Sequence, residues 1–556
     1  MPPFRFLRAL CVPWRRVLPR LGWSFALLAG AADVSAATAS RPNIVLFLVD
    51  DMGWGDSGVY GSTYYETPRI DAFAGTGLRF TQAYANPLCS PTRASILSGK
   101  SAARHGIVMP SGHVAAPPPG FNYNRTEASP AKAVITPVSR CYLDPAEHTL
   151  AEALREAGYR TALIGKWHLG LAPEHWPNRQ GFDMAFHCAP DPGPPSYFSP
   201  YRVRAPGSEG TGRQGTITDG PPGEYIVDRQ AEEAVEFIRA GKDRPFFLFL
   251  SAYGVHGPWG HKEAYTERFA AKTDPRGVHH NPIMGSMLQS IDECFGRILD
   301  ELQAQGQADN TIVIFLSDNG GNTKSDPGQL PEGRRVGGEQ RALAESWRKW
   351  AKGQVPTNNA PLREGKGKLY EGGVRVPMIW SWPGRIPANA VTEVVGGDID
   401  VYPTLLELAG VTAPSRQIMD GVSLAGVLTG LQPALERPYF IYNPAHDEVG
   451  QISVRLGDYK LIRSYSPQWP SQLYNLREDL GETRNLAAER PEKLAELSAL
   501  IDRFFAQTGA PVPRPNPRYR PVEGTAGAVE DEDGQPTRLR QRKASQPTAK
   551  PSEEAL

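Results

Sequence analysis

Four mostly apolar runs constrain the fold more than any other feature of this sequence. Each run is short and stops at polar or charged residues. This pattern is typical of a strand that is covered on both faces, because neither of its faces meets water. We therefore predict strands of a parallel sheet at residues 43–49, 159–164, 245–250 and 311–316.

Amphipathic segments separate these runs. Apolar residues recur at helical spacing in 149–157, 227–238 and 284–302, as expected for the crossover helices that connect parallel strands. A further apolar run at 376–382, closed by Pro383 and Gly384, predicts another strand. The predicted fold class is α/β, with a large, mostly parallel sheet sandwiched by helices.

The texture of the chain changes after residue 436. Short alternating runs occur at 439–442, 452–455 and 459–462, and an amphipathic helix is predicted at 492–505. We expect a catalytic domain at 41–435 and a C-terminal subdomain at 436–510, in which a small antiparallel sheet packs with one helix. Residues 511–556 are rich in Pro, Glu, Arg and Gln with few apolar residues, so we expect a disordered tail there.

The N-terminus resembles an export signal. Arginines precede an apolar stretch at 21–32, and small residues follow it. Because the stretch is short for a membrane span, we predict a cleaved signal peptide at 1–37 and a periplasmic or extracellular protein. An uncleaved anchor is the alternative. The 60 basic and 60 acidic residues balance, so no net charge indicates a nucleic-acid partner.

Hard oxygen ligands follow two of the predicted strands. Asp50 and Asp51 come after the first strand, and Asp318 and Asn319 come after the run at 311–316. In an open α/β sheet the ligand lies beyond the carboxyl ends of the strands. Three carboxylates brought together there would repel one another unless a cation joined them. Ca²⁺ suits such a set, Mg²⁺ is the rival, and aspartates that only cap helices or turns are the structural alternative.

Four basic residues lie at other predicted strand ends or in glycine-rich segments. They are Lys166, His168, His256 and Lys366. Taken singly, such residues are most often solvated charges or satisfied polar groups. Three long irregular segments, 110–140, 190–223 and 322–359, have a length that is typical of functional loops or of disordered segments.

The last of these long segments contains a possible helix. It spans 339–352 and carries Trp347, Trp350 and several basic residues. We interpret it either as part of a lid over an anionic substrate or as a solvated insertion.

Cys89 opens a short predicted helix. Pro91 suits the first helical turn and Gly99 suits the end. At a helix N-terminus a thiolate, or an anion bound beside it, would be stabilised. A buried structural cysteine is the alternative. No CxxC spacing indicates a zinc site or a disulfide framework.

These residues carry a resemblance to a known family. Cys89-Ser90-Pro91-Thr92-Arg93, with Ser98-Gly99 downstream, is similar to the modification motif of the type I, formylglycine-dependent sulfatases. The resemblance covers residues 43–486 and includes, in the family's order, Asp50-Asp51, Gly165-Lys166-Trp167-His168-Leu169-Gly170, His256-Gly257-Pro258, Asp318-Asn319-Gly320-Gly321, Gly365-Lys366-Gly367 with Tyr370-Glu371-Gly372-Gly373, and Leu473-Tyr474-Asn475-Leu476.

The resemblance implies an arylsulfatase-like enzyme with an alkaline-phosphatase-like architecture. In such an enzyme a maturation enzyme, either formylglycine-generating or anaerobic, would oxidise Cys89 to formylglycine. The resemblance assigns Asp50, Asp51, Asp318, Asn319 and the modified Cys89 to calcium, and Arg93 to the formylglycine and the sulfate. It also implies that Lys166, His256 and Lys366 contact sulfate. Asp318 would assist the attack on sulfur, and His256 or Lys366 would protonate the leaving alcohol. His168 would then act as a base that removes the proton from the remaining hydroxyl and so releases sulfate.

Three functions remain open at this point. The first is hydrolysis of sulfate monoesters, most plausibly on sulfated saccharides, for which Trp259, His261, Trp347 and Trp350 would offer stacking or polar contacts. The second is a phosphonate or phosphodiester hydrolase of the same architecture. The third is a non-catalytic binder of sulfated glycans, which would follow if Cys89 stayed unmodified. In the loop after His168, where some relatives supply a serine to the sulfate, no residue is assigned.

Overall fold

The structure is a computed structural model of the 556-residue chain. It describes residues 41–189, 192–204, 213–241, 243–329, 338–432, 434–446 and 450–520, and the backbone of 529–530 and 536–537. The predicted signal peptide at 1–37 lies outside the described residues.

The secondary structure alternates strands and helices through most of the chain. The strands are β1 Asn43–Val49, β2 Leu78–Tyr84, β3 Val134–Ile135, β4 Arg160–Gly165, β5 Met184–Phe186, β6 Cys188–Ala189, β7 Val203–Arg204, β8 Arg213–Gly215, β9 Phe246–Ser251, β10 Thr311–Ser317, β11 Arg375–Ser381, β12 Ala390–Thr392, β13 Gly396–Gly397, β14 Tyr439–Asn443, β15 Gln451–Leu456, β16 Tyr459–Ser464, β17 Gln472–Asn475, β18 Arg514–Pro515, β19 Val529–Glu530 and β20 Pro536–Thr537. The α-helices are α1 Pro68–Ala74, α2 Cys89–Ser98, α3 Ala102–His105, α4 Leu150–Glu156, α5 Ile226–Arg239, α6 Glu263–Ala270, α7 Pro282–Ala304, α8 Gly338–Trp350, α9 Glu371–Val374, α10 Val401–Leu408, α11 Ala425–Leu428 and α12 Pro491–Thr508.

A nine-stranded sheet forms the centre of the described chain. Its order is β12-β2-β11-β10-β1-β9-β4-β5, with β13 beside β2. Strands β10, β1, β9, β4 and β5 run parallel to one another. Strand β11, which we predicted at 376–382, runs antiparallel to both β10 and β2. The mostly parallel α/β fold is confirmed.

Helices cover both faces of this sheet. Alternate side chains of β1 enter different cores: Val45 and Phe47 pack in the cluster that contains α5 and α7, whereas Ile44 and Leu46 pack in the cluster that contains α2, α4 and α10. All seven residues of β1 are buried. After Asn43 the strand is apolar, and the chain becomes polar again where it leaves the sheet.

The C-terminal sheet is antiparallel, as predicted, and has four strands in the order β14-β15-β16-β17. Helix α12 packs on it through Leu497 and Ile501. The sheet reaches the main fold through an ionic contact: the Nζ atom of Lys460 lies 2.9 Å from the carboxylates of Glu371 in α9 and Glu482 after β17. All three side chains are buried.

The expectation of disorder from residue 511 onward is wrong for residues 511–520. Strand β18 pairs with β3, which lies within the long segment 110–140. The amide of Asn516 also donates to the carbonyl groups of Ser129 and Lys132. The low apolar content did not indicate this order, because backbone and amide hydrogen bonds contribute to holding the segment in place. None of the described helices combines the length and the apolar character that a membrane crossing requires.

Candidate active site

The carboxyl ends of β1 and β10 bring four predicted ligand residues together. Val49 pairs with Ser317, so the residues that follow the two strands lie side by side. The backbone N–H of Asp51 donates to Asp318 Oδ1 at 3.1 Å, and Asn319 Nδ2 donates to Asp51 Oδ1 at 2.8 Å. Asp51 has a φ of 64°, a conformation that costs a non-glycine residue energy and is concentrated at functional sites.

Two lysines from distant parts of the chain meet these aspartates. Lys166, which follows β4, donates from Nζ to Asp50 Oδ2 at 2.6 Å. Lys366, from the glycine-rich segment before α9, donates to Asp51 Oδ2 at 2.8 Å. Because Lys166 and both aspartates are almost completely buried, water cannot weaken these contacts.

Helix α2 contributes Cys89 and Arg93. They are four residues apart and therefore lie on one face of the helix. Arg93 Nη2 donates to Asp318 Oδ2 at 2.7 Å, and Nη1 donates to the carbonyl of Lys166 and to the hydroxyl of Ser251. Arg93 thereby connects the ends of α2, β10, β4 and β9.

A possible metal site lies beside Cys89. One ligand atom from each of Asp50, Asp51, Cys89 and His256 lies within 4.8 Å of the others. Two further buried oxygens, Asp50 Oδ1 and Asn319 Oδ1, have no hydrogen-bond partner in the described part of the chain. Buried oxygens without partners are costly, and a divalent cation with oxygen ligands would satisfy them.

The two aspartates at the end of β1 differ in their protonation. Burial raises the pKa of Asp51, but Lys366, His256 and Lys166 outweigh burial and hold this pKa well below its usual value. Burial, together with the neighbouring Asp318, raises the pKa of Asp50 well above its usual value, although Lys166 opposes the shift. The negative charge around Asp50 is therefore incompletely balanced, and another cation would be favourable there.

The expectation of a stabilised thiolate at Cys89 is wrong, whereas the other form of that expectation, an anion bound beside Cys89, stays a prediction. Burial raises the pKa of the thiol to about 12, and Asp50 and Asp318 add to the shift while Lys166 and Lys366 oppose it. Only 1% of Cys89 is exposed. The desolvation of the thiolate outweighs the favourable field of the helix, and an unmodified Cys89 is neutral at pH 7.

The two predicted histidines also lie at this edge of the sheet. His256 Nε2 is 3.8 Å from Asp51 Oδ2, and its Nδ1 is 2.9 Å from the carbonyl of Gly257. The carbonyl of His168 accepts a hydrogen bond from the Ser90 hydroxyl at 2.8 Å. Burial, with Lys166 and other cations nearby, holds the pKa of His168 well below its usual value, so the ring is neutral.

The sequence did not indicate two residues of this site. Ser251, at the end of β9, binds Arg93 and the carbonyl of Lys166. His113 Nδ1 lies 3.1 Å from His168 Nε2. The length of segment 110–140 marked it as a functional loop, but nothing in its sequence distinguished His113 from other histidines.

The aromatic residues near His256 are packed against one another. The rings of Trp259 and Trp347 are 5.3 Å apart, and 7% and 0% of these residues are exposed. His261 Nε2 contacts the hydroxyl of Ser346 at 2.8 Å. The predicted helix at 339–352 is present as α8, but Trp347 anchors it to the core, so the expectation that Trp347 stacks on a substrate is wrong.

The sequence of this chain is similar to those of several known proteins. The family model described as Sulfatase matches residues 42–411, and the model described as N-sulphoglucosamine sulphohydrolase, C-terminal, matches residues 365–506. The chain is 34% identical over 453 residues to N-acetylgalactosamine-6-sulfatase of Canis lupus familiaris, covering 79% of this chain and 75% of the relative.

Two further relatives cover even more of the chain. It is 32% identical over 517 residues to arylsulfatase A of Homo sapiens, covering 85% of this chain and 89% of that protein. Among solved structures, that of Ps i-CgsB in complex with k-i-k-neocarrahexaose is similar, with a TM-score of 0.65 and 25% sequence identity. The match covers 84% of this chain and 93% of that one.

Proposed function

The chain belongs to the sulfatase family and is a sulfuric ester hydrolase, and from this premise we propose that it removes sulfate from saccharides by means of a formylglycine made from Cys89. The observation that carries the proposal is the group of cationic side chains beside Cys89, namely Arg93, Lys166 and Lys366. A sulfate monoester is an anion that repels nucleophiles, and buried cations lower this barrier.

We infer that the metal is Ca²⁺, with Mg²⁺ as the rival. Asp50, Asp51, Asp318 and Asn319 would hold it together with the modified Cys89. The two unpartnered oxygens, Asp50 Oδ1 and Asn319 Oδ1, support this inference, since Ca²⁺ accepts several oxygen ligands in flexible geometry. The ion would supply positive charge next to the reacting sulfate.

The modification of Cys89 would replace a weak nucleophile with a stronger one. The neutral thiol is a weak nucleophile, whereas the hydrate of an aldehyde offers one hydroxyl to attack sulfur and a second one to release the sulfate afterwards. A maturation enzyme of the formylglycine-generating or anaerobic type would carry out the oxidation. Mass spectrometry of the tryptic peptide that contains Cys89 tests this: an intact thiol in active protein would contradict the proposal, and an intact thiol without turnover would favour a glycan binder.

The side chains around Cys89 would bind the sulfate and transfer protons during the reaction. Lys166, Lys366 and His256 bind sulfate oxygens, and Arg93 holds both the sulfate and the modified residue. Asp318 assists the attack, and His256 or Lys366 protonates the leaving alcohol. His168, which is neutral and buried, accepts the proton whose removal releases sulfate. This division of roles follows the family resemblance, and the contacts described above are compatible with it.

The saccharide substrate is the finer part of the proposal. It is supported by relatives that act on sulfated sugars by name, such as N-acetylgalactosamine-6-sulfatase, and by the neocarrahexaose complex. Sulfate release should be measured from N-acetylgalactosamine 6-sulfate, carrageenan oligosaccharides and an aryl sulfate under the same conditions. Release from the aryl ester alone would overturn the saccharide assignment. A preference for matched phosphorus esters by orders of magnitude would instead identify a phosphonate or phosphodiester hydrolase.

We further propose that the protein is exported to the periplasm or beyond the cell. The basic and apolar pattern of residues 1–37 supports this. Fractionation of cells that express the full chain, followed by N-terminal sequencing, tests it. A protein that retains residue 1 in the soluble cytosolic fraction would contradict both export and cleavage.

A further inference from the structure

The segment that carries His113 is held tightly against His168. The carbonyl of Gly112 accepts a hydrogen bond from the N–H of Gly170 at 3.1 Å. A Cβ atom on Gly112 would lie only 1.9 Å from the carbonyl oxygen of His168, so this close approach requires glycine. The Ser90 hydroxyl lies within hydrogen-bonding distance of both Gly112 N and His168 O. The backbone on either side therefore fixes the position of His113 relative to His168.

The two imidazole rings share one hydrogen bond. His113 Nδ1 and His168 Nε2 are 3.1 Å apart, and the ring centroids are 5.3 Å apart with an interplanar angle of 27°. When both rings are neutral, one nitrogen of the pair carries the hydrogen and the other accepts it. If His168 donates from Nε2, its Nδ1 carries a bare lone pair. If His113 donates, Nδ1 of His168 carries a hydrogen instead.

The surroundings of His168 favour the first arrangement. Its Nδ1 is buried and has no hydrogen-bond partner in the described part of the chain. The largest electrostatic contributions at the ring come from Lys166, His113, Arg93 and His256, all of them basic residues. The positive charges of Lys166 and Arg93 favour a lone pair over an N–H on Nδ1, and an N–H at this buried position would also lack an acceptor among the described residues.

We propose that His113 is a positioning residue that accepts a hydrogen bond from His168 Nε2 and so keeps the Nδ1 atom of His168 bare, as a base. The base role of His168 rests on the proposed function, whereas the hydrogen bond and the position of its proton do not. His113 is only partly buried, whereas the ring of His168 that it contacts is completely buried. It therefore sets the tautomer of His168 from outside the reacting centre.

The first test observes the hydrogen directly and requires no activity. Nitrogen NMR of the Cys89→Ala protein, labelled with ¹⁵N in its histidines, distinguishes protonated from bare ring nitrogens. We expect one histidine with protonated Nε2 and bare Nδ1, coupled through the hydrogen bond to a second ring, and loss of this coupling in Cys89→Ala/His113→Ala. A His168 ring that is protonated on Nδ1 would overturn the proposal, whether or not the unmutated protein hydrolyses sulfate esters.

The second test separates positioning from packing by kinetics. We expect His113→Ala to lower kcat by about 10- to 100-fold, the usual cost of losing an outer-shell partner, with KM changed by less than about twofold. His113→Asn retains an acceptor oxygen near the position of Nδ1 and should restore kcat to within about threefold of the unmutated value. Val114→Ala, at an exposed neighbouring position, serves as the control and should match the unmutated protein.

These kinetic outcomes are decisive in an active enzyme. Unchanged kcat in His113→Ala, or an Asn variant as slow as the Ala variant, would overturn the proposal. The unmutated protein could show no turnover while NMR shows a protonated Nε2 and a bare Nδ1 on His168. In that case the proposed function is wrong and the assignment of the hydrogen bond is correct.

Discussion

At the scale of single residues, Cys89 is the residue whose thiol must be oxidised under the mechanism that we propose. Its thiol is buried and neutral, although it lies among the cations that a sulfate would need. The described chain has four buried cysteines, and of these only Cys89 is at this site. The cationic surroundings of Cys89, and not the presence of a cysteine, therefore distinguish it as the position at which we propose the modification.

We expect Cys89→Ala to lower turnover by more than about a thousandfold, because the nucleophile is lost. The fold should survive, with a change in the free energy of unfolding of about 1 kcal/mol. Sulfate release and thermal unfolding measure the two effects. Cys294→Ala, which removes another buried thiol in α7, is the matched control and should keep full activity. Substantial activity in Cys89→Ala would refute the mechanism.

Asp292 gives the protein a pH-dependent stability. Its carboxylate accepts hydrogen bonds from the N–H groups of Arg69 and Ile70 at the start of α1, yet burial raises its pKa to about 6. A folded-state pKa above the unfolded value of 3.8 favours the protonated form. The stabilisation is therefore complete below about pH 4 and is lost as the pH rises through 6.

Asp292→Asn cannot titrate and should remove this dependence. Relative to the unmutated protein, the variant should gain about 1–3 kcal/mol of unfolding free energy between pH 4.5 and pH 7.5. Urea unfolding at the two pH values measures this difference. Asp300→Asn, at an exposed position of the same helix, is the control, and an equal pH response in both variants would show that Asp292 is not the source.

At the scale of secondary-structure elements, the strands were predictable and the contacts between loops were not. The central strands, α5, α7 and α12 follow from apolar periodicity, because burial on one or two faces determines their sequences. The antiparallel direction of β11 could not be predicted, since a buried strand has the same composition in either direction. The sequence could not predict the roles of His113 and Ser251, because these roles depend on their contacts with His168 and Arg93, which lie in other parts of the chain.

The candidate ligands and cations were predictable for a different reason. Asp50, Asp51, Asp318 and Asn319 directly follow apolar runs, and the carboxyl ends of parallel strands share one edge. The family resemblance supplied Arg93, whose position no periodicity indicates, whereas Lys366 was already a candidate because of its glycine-rich surroundings. Trp347 was misassigned because a tryptophan in a long loop has the same sequence signature whether it binds a ligand or anchors the loop.

The contact between Lys460, Glu371 and Glu482 joins the C-terminal sheet to the segment that carries Lys366. We expect Lys460→Met to lower the free energy of unfolding by about 3–5 kcal/mol, since it removes the nearest cation from two buried carboxylates, of which Glu371 keeps the more distant Arg375 and Arg455. Urea unfolding measures the loss. Arg463→Met removes a more exposed ion pair with Asp502 from the same strand and should cost no more than about 1 kcal/mol. Equal effects of the two substitutions would contradict a special role for the buried contact.

At the scale of the whole molecule, metal binding should stabilise the fold, because the site joins the ends of β1 and β10 in the central sheet. We expect Ca²⁺ at about 100 times its dissociation constant to add about 2.7 kcal/mol to the free energy of unfolding. Thermal unfolding with Ca²⁺, with Mg²⁺ and with a chelator measures this effect. A midpoint that none of these additions shifts would contradict the metal assignment, and a larger shift with Mg²⁺ would favour the rival ion.

The burial of Cys89 limits the time at which this residue can be oxidised. With 1% of its surface exposed, the folded thiol is out of reach of another enzyme's active site. Under the proposed chemistry, oxidation therefore competes in time with folding, and a chain that folds first keeps its thiol. The fraction of active enzyme in a preparation is then determined during synthesis by the ratio of the rate of oxidation to the rate of folding. Later incubation of the folded protein with the oxidising enzyme cannot raise this fraction.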